Sequence, residues 1–379
     1  MVLSRMKTEF WIARKGGLEM PIIDADTHID ETDDTWEYMQ AEDVQYKPTT
    51  TSPPNPDPTR PPIRYWMIDG KRQIRFVRGD EESGTVVESR ELLDVAVRLK
   101  HMDELGTDIQ VIYPTLFLME ATERPEVATA LRRSYNRWLA DRCAQSGGRL
   151  RWICLPPLHN MDEALAEVRF AKEHGACGVL KKGDREAGKW PADPYFFPLY
   201  EEAERLDFPI CFHTGSGIPD FSPAREFTLG QFMRTKMAAV NGIETMIVNN
   251  IPAKYPRLRF GCIEAGASWV SFVDYDVRRR VKSHRDRVSV LSGPRTRLAS
   301  NVFKENRIYI TCQVDEDLPY ILKYVGEDNL IVGSDYTHRD PSMELEFREL
   351  LQKRADEGEI PQSAVKKILY DNPKAFYGL

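Results

Sequence analysis

No two cysteines of this 379-residue chain stand in a C-x-x-C pair, and the six present (Cys143, Cys154, Cys177, Cys211, Cys262 and Cys312) are widely spread. Four of them, Cys154, Cys211, Cys262 and Cys312, fall inside apolar β-like runs, where cysteine behaves as a small hydrophobe. That argues against a disulfide framework and for a reducing cytoplasm. No apolar run approaches the roughly 18–20 residues that span a bilayer. The opening segment, "MVLSRMKTEFWIARKGG", meets Lys, Glu and Arg before any apolar core develops, unlike a secretory signal. Positive charge is not in excess: the formal net charge is −7, which gives no general attraction to nucleic acid or an anionic membrane. There is no G-x-S-x-G nucleophile elbow and no flavin, haem or iron–sulfur motif, and Gly215 and Gly217 in "HTGSG" are too few for a phosphate loop.

What the chain does have is a rhythm. Short apolar runs ("PIIDADTHI", "IQVIYPT", "LRWICLPPL", "CGVLKKG", "FPICFHTG", "LRFGCIEAG", "RIYITCQVD", "NLIVGSDYTH") alternate with amphipathic stretches such as "EVATALRRSYNRWLADRCA" and "MDEALAEVRFAKEHG". Near-continuous apolar strands separated by helices mean a parallel sheet covered on both faces. Eight such strands predict an α/β fold of the (β/α)8 TIM-barrel type over residues 1–379, with a doubly wound sheet as the other arrangement. Two segments interrupt it. Residues 38–90, rich in Pro, Thr and Arg, form a long insertion after the first strand, expected to fold over the barrel mouth and to contain a hairpin turning at Asp69-Gly70. Residues 284–304 form a second elaboration.

In a barrel, the C-terminal strand ends carry the active site. The first strand ends in Asp24, Asp26 and His28, with alternating side chains on one face, and Glu31 follows. The fifth ends in His213, the sixth in Glu264, the eighth in Asp335 and His338. The fourth contributes Lys181 and Lys182, one of which must point inward. Taken singly each residue has a plainer role: Asp26 and His28 as a turn pair, His213 as a satisfied core histidine, Glu264 or Asp335 as a cap, Glu31 as a solvated acid. Together the plainer roles fail, because several buried ionisable groups facing one cavity need compensating charge. Imidazole with carboxylate suits Zn, Fe or Mn. His101, His174 and His284 lie on helices away from these ends, and His159 lacks an evident acidic neighbour.

"DADTHIDE", "VIYPT", "CFHTGSG", "EAGASW", "VGSDYTH" and the closing "ILYDNPKAFYGL" resemble the amidohydrolase-related (amidohydrolase 2) superfamily of metal-dependent TIM barrels, from about residue 21 to the C-terminus. That resemblance implies a divalent metal held by Asp26, His28, His213 and Asp335. The chain departs from the family's decarboxylases at the sixth strand, where Glu264 replaces a proton-handling histidine. With Glu31, Glu264 and His338 as further ligands, and Glu264 and His338 as catalytic groups, the set resembles the branch that carries Fe/Fe or Mn/Fe pairs and activates dioxygen.

The leading expectation is therefore a two-metal monooxygenase. It would hydroxylate a small organic substrate, an acyl-CoA ester among the candidates, and take electrons from an external donor. The alternative is a mononuclear hydrolase or decarboxylase, with a single Zn as one choice of ion and Glu264 or His338 carrying the proton. A catalytically silent barrel in a hetero-oligomer is the third reading. A homo- or hetero-oligomer is expected, with neither nucleic acid nor membrane as partner.

Overall fold

All eight expected runs become parallel strands of one barrel in the computed structural model, which describes residues 20–54, 64–75, 78–215, 235–283, 288–289, 293–294 and 300–379. In chain order the strands are β1 (Ile23–His28), then β2 (Thr49–Thr51), β3 (Arg64–Ile68) and β4 (Lys71–Arg75) of the insertion. There follow β5 (Ile109–Tyr113), β6 (Leu150–Cys154), β7 (Ala176–Lys181), β8 (Ile210–His213) and β9 (Phe260–Ile263). A two-residue antiparallel pair, β10 (Val288–Ser289) with β11 (Gly293–Pro294), precedes β12 (Ile308–Thr311) and β13 (Leu330–Ile331). The barrel order is β1-β5-β6-β7-β8-β9-β12-β13. Closure runs through the irregular stretch after β13: Ala25 N–H donates to Val332 O (3.0 Å), Asp335 N–H to Asp26 O (3.0 Å) and His28 N–H to Tyr336 O (2.9 Å).

The physical reason for this architecture is visible in burial. Every residue of β1, β7, β8 and β9 is buried, which a parallel strand between a filled barrel interior and a helical layer demands. Helices lie between successive strands, among them Val95–Glu104, Pro125–Ala144, Met161–Glu173 and Phe197–Arg205. Asp94 and Asn160 cap two of them by accepting backbone N–H groups that would otherwise lack partners. Gly333 is required where the closing segment crosses β1, since a Cβ there would sit 2.2 Å from Asp26 Cβ.

In the insertion, β3 and β4 pair antiparallel through Ile68 and Lys71. Asp69 (φ 50°) and Gly70 (φ 73°) make the turn, as expected for a two-residue hairpin. Trp66 is buried edge-on against Trp36 (5.6 Å), which in turn meets Phe117 (6.3 Å). Gln73 Nε2 donates to Ala121 O (3.3 Å), and Asp69 pairs with Arg124 (2.6 Å). The hairpin is thus fastened to the loop that follows β5. Of the second elaboration, the described part is β10, β11 and a helical turn at Val302–Glu305; residues 284–287, 290–292 and 295–299 lie outside the described residues, as do Gly217 and His284.

Candidate metal centre

Six polar side chains converge where β1, β8, β9 and the segment after β13 end. Their donor atoms form two overlapping groups: Asp26, His28, His213 and Glu264, and His28, Glu264, Asp335 and His338. All six residues are buried. Glu264 (φ 62°) and Asp335 (φ 52°) both occupy the left-handed region, and so does Thr337 (φ 86°) between Asp335 and His338. Non-glycine residues reach that conformation at a cost of order 1–3 kcal/mol, sustained where surrounding structure over-determines them. Here the strain turns the carboxylates into the barrel mouth.

Both inner histidines have a fixed tautomer. His28 Nδ1 lies 2.9 Å from Pro114 O, and His213 Nδ1 lies 3.0 Å from Thr214 O. A carbonyl only accepts, so each Nδ1 carries hydrogen and each Nε2 is available as a ligand. His28 Nε2 faces Asp335 Oδ1 at 3.3 Å and Asp26 Oδ1 at 3.4 Å; His213 Nε2 faces Asp26 Oδ1 at 3.2 Å and Glu264 Oε2 at 3.4 Å. Donor atoms bound about 2.1 Å from one ion lie about 3.0 Å apart at right angles and about 3.4 Å apart at the tetrahedral angle. His28 Nε2 and both oxygens of Asp335 are buried without a partner in hydrogen-bond geometry. These are the orphaned atoms that a divalent cation satisfies, and the residues fit a metal.

The electrostatics agree. Burial would raise Asp26 and lower His213, yet their mutual attraction prevails, holding Asp26 at about 2 and His213 at about 9. The cluster therefore attracts positive charge, which a metal ion supplies in place of the imidazolium proton. Burial pushes Glu264 up to about 8. Burial, then Glu264, Asp340 and Asp26, drives Asp335 well above the usual carboxylate range. His338 is held well below the ordinary imidazole value by burial, then by His28, Arg78 and His213. It stacks on His28 (ring centroids 3.8 Å) with Nδ1 2.7 Å from Asp335 Oδ1.

Glu31 is close to this cluster but belongs to neither ligand group: its two oxygens accept the backbone N–H groups of Thr115 (3.0 Å) and Leu116 (2.9 Å). Asp24 holds Ser334 N–H (2.8 Å) and its hydroxyl (2.5 Å). Of the two lysines, Lys181 pairs with Glu186 (2.9 Å) and lies over the Phe196 ring, while Lys182 reaches Glu120 (2.6 Å). His159 does feel acidic neighbours, Glu120 and Glu186, contrary to the sequence reading, because the loop after β5 brings Glu120 alongside. His101 bonds the Tyr336 hydroxyl (2.7 Å) and His174 stacks on Phe170, both structural.

Sequence reasoning missed three groups. Asp340 acts on both Glu264 and Asp335, and its position two residues past His338 was the available signal. Arg98 is fully buried beneath the site, donating to His28 O (2.8 Å) and Thr27 Oγ1 (3.1 Å); nothing in a helical pattern announces that. Arg78, from the insertion, pairs with Asp30. Beside the centre, Asp30, Glu31, Trp66, Ile74, Arg75, Thr115 and Leu116 line a small cleft with room for a water-sized molecule.

A family model described as amidohydrolase matches residues 89–379. A gamma-resorcylate decarboxylase of Rhodococcus jostii (strain RHA1) is 33% identical over 132 residues, covering 32% of this chain and 40% of that protein. The chain thus spans about two fifths of that curated relative's length. A 2-amino-3-carboxymuconate-6-semialdehyde decarboxylase of Dictyostelium discoideum is 22% identical over 288 residues, 76% of this chain and 77% of that one. Among solved structures, an amidohydrolase from Mycobacterium avium subsp. paratuberculosis K-10 superposes with TM-score 0.75 at 19% identity, covering 96% of this chain and 100% of that one. A 5-carboxyvanillate decarboxylase from Novosphingobium aromaticivorans, solved with manganese, gives TM-score 0.62 at 18% identity, covering 78% and 82%. At these identities the structural likeness carries the fold alone.

These relatives correct the expectation of a dioxygen-activating oxidoreductase. Three of the four are named as decarboxylases and the fourth as an amidohydrolase, and none of them is a monooxygenase. One carboxylate that suggested a dioxygen-activating metal pair has another occupation here: Glu31 accepts the backbone N–H groups of Thr115 and Leu116.

Proposed function

We propose that this chain, which belongs to the amidohydrolase family, is a metal-dependent decarboxylase of a small aromatic or conjugated carboxylic acid, built around one divalent ion. The observation that carries the reading is the convergence of Asp26, His28, His213 and Asp335 with one further carboxyl, Glu264, placed 3.4 Å from His213 and 3.9 Å from His28 at the mouth of the ligand set. Asp26, His28, His213 and Asp335 would hold the ion. His28 Nδ1 is committed to Pro114 O, so Nε2 is the single atom it can give. That atom belongs to both ligand groups, which supports two placements of one ion better than two ions. Bound there, Mn, Zn or Fe would polarise the substrate's oxygen atoms and stabilise the negative charge that carbon–carbon cleavage releases.

The chain's own residues supply the proton chemistry. As the bond to the carboxyl group breaks, its electron pair stays on the substrate carbon, which must take a proton while carbon dioxide leaves. Glu264 carries that proton, with its carboxyl oriented by the Thr214 hydroxyl donating to Oε2 (2.9 Å), and is reprotonated from solvent. His338, buried and neutral, is the second proton carrier beside Asp335.

In this reading the hairpin β3–β4, whose Trp66 and Ile74 line the small cleft beside the centre, would frame the substrate entrance. Decarboxylation neither consumes nor supplies electrons, so the external donor has no place in it. Six buried thiols fit a cytoplasmic location. The test is carbon dioxide release from a panel of ortho-hydroxybenzoates and conjugated dicarboxylates by metal-loaded protein. Release that depends on the metal and vanishes in Asp335→Asn supports the proposal; no release from any member counts against it.

A further inference from the structure

Strand β1 does not pair evenly with β5. From Asp24 to Thr27 it advances three residues while β5, from Gln110 to Ile112, advances two, so one extra residue is inserted at Ala25–Asp26. Such a bulge breaks the alternation of side chains and re-aims the residue it carries. Asp24 turns to Ser334, holding its N–H (2.8 Å) and its hydroxyl (2.5 Å). Asp26 Oδ1 instead faces His213 Nε2 (3.2 Å) and His28 Nε2 (3.4 Å) in the metal centre.

The bulge also leaves one backbone acceptor over. Ala25 N–H donates to Val332 O (3.0 Å), and regular parallel pairing would bring Ser334 N–H back to Ala25 O. Asp24 has taken that N–H. Ala25 O accepts the Tyr377 hydroxyl instead, at 2.6 Å. A phenol has a single hydrogen, so the bond between the Tyr377 and Tyr113 hydroxyls (2.9 Å) is one that Tyr113 donates. Both tyrosines are buried, and the Tyr113 ring packs beside that of His213 (centroids 4.8 Å apart). Tyr377 ends the helix Asn372–Tyr377, which is fixed in turn. Arg259 Nε donates to Phe376 O (2.9 Å), and Gly261 leaves room for the Phe376 ring, where a Cβ would sit 2.4 Å from Cζ.

We propose that Tyr377, steadied by Tyr113, is a positioning residue for the metal centre: its hydroxyl fixes the β1 bulge at Ala25 and thereby the aim of the Asp26 carboxylate. The proposal rests on the reading in which Asp26 is a ligand of the ion. Phenylalanine at 377 would keep the ring packing but leave Ala25 O buried without this donor, freeing the bulge to shift. Losing a partner that orients a ligand typically changes metal affinity by about 10–100-fold.

The experiment reads metal affinity and coordination, not turnover. Full-length protein stripped with a chelator is titrated with cobalt(II) against a competing chelating dye, and its visible absorption is recorded. The wild type is expected to bind one cobalt ion per chain. Tyr377→Phe should keep that stoichiometry, bind cobalt about tenfold or more weakly, and show altered visible bands, because a displaced carboxylate changes the ligand field. Tyr113→Phe should weaken binding less, since Tyr377 keeps its bond to Ala25 O. The double variant should match Tyr377→Phe alone, because Tyr113 acts only through Tyr377. Wild-type affinity and bands in Tyr377→Phe overturn the proposal, however far its Tm falls, and mark the hydroxyl as structural. Losses that add in the double variant overturn the part given to Tyr113. Should Tyr377→Phe not fold, Tyr113→Phe decides, and wild-type affinity and bands there overturn the proposal. A wild type that binds no cobalt overturns the metal reading and the proposal together, whereas the other failures leave that reading intact.

Discussion

His28 Nε2 and Asp335 Oδ1 face each other across 3.3 Å inside the barrel, and in the tautomer that Pro114 imposes His28 has no hydrogen to offer there. Burial and the neighbouring acids hold the Asp335 carboxyl well above its usual range, so a proton occupies this place when no metal does, and a divalent cation would take it over. Metal removal should therefore destabilise the fold. A free ion at about a hundred times its Kd adds about 2.7 kcal/mol, so chelation should lower Tm by several degrees and re-addition should restore it. In Asp335→Asn most of that shift should disappear, because the amide lacks the anionic charge. Calorimetry with and without chelator decides this; an unchanged Tm in the wild type would sink the metal assignment.

Glu264 separates ligand from proton carrier. Glu264→Gln keeps the shape and the Thr214 contact but cannot transfer a proton. The expected outcome is a full metal complement with kcat down by about a hundredfold or more. Metal content that falls with the substitution would make Glu264 a ligand instead. Full metal and full activity, with stability lower by about 1 kcal/mol, would reduce it to a structural group.

Away from the metal centre, Glu186 predicts the acid limb of stability. Burial would raise its carboxyl, but Lys181, Arg132 and Lys182 hold it down at about 2, against 4.5 for the free group. A depressed folded-state value means a contribution present above pH 4.5 and lost as pH falls from there toward 2. The ceiling is about 3 kcal/mol from the size of the shift, less what burial of Lys181 costs. Urea unfolding between pH 7 and pH 3 should show this loss, and Glu186→Gln should be less stable at pH 7 but flatter across the range. Parallel curves for the two proteins would remove Glu186 from the acid response.

Trp66 tests the insertion. It lines the cleft with Thr115 and Glu31 while Arg75 stacks over its ring at 4.2 Å. Trp66→Ala should raise KM more than it lowers kcat, since the ring meets substrate binding and not the proton transfer. Unchanged KM for every accepted substrate would make the hairpin a structural cover only.

The strands were legible because a parallel barrel strand is apolar along its whole length, and each of the eight runs in the sequence lies on one. The clustering was legible for a related reason: Asp26, His28, His213, Glu264 and Asp335 are ionisable residues at the ends of runs that otherwise exclude charge, and the fold brings them together. The hairpin turn at Asp69-Gly70 carried its own local chemistry. What stayed hidden was whatever depends on which atom meets which. Glu31 looked like a ligand because it follows "DTHID"; only the fold shows that two amides of the β5 loop have taken its oxygens. Thr115 offered no signal at all, since a threonine ending a strand has no periodicity to betray that its hydroxyl holds a histidine from the far end of the chain. The carboxylate-rich candidate set pointed toward dioxygen chemistry through its resemblance to a two-metal branch, and residue types alone do not reveal that the oxygens of Glu31 are already taken by backbone amides.

The most direct test combines two quantities in one sample. Protein loaded with manganese or zinc is assayed under argon for carbon dioxide release from the carboxylate panel, and its bound metal is measured per chain. The expected result is release without dioxygen, one proton taken up at the vacated carbon, and full activity at one ion per chain. Dependence on dioxygen, or activity that appears only at two ions per chain, would contradict a mononuclear decarboxylase.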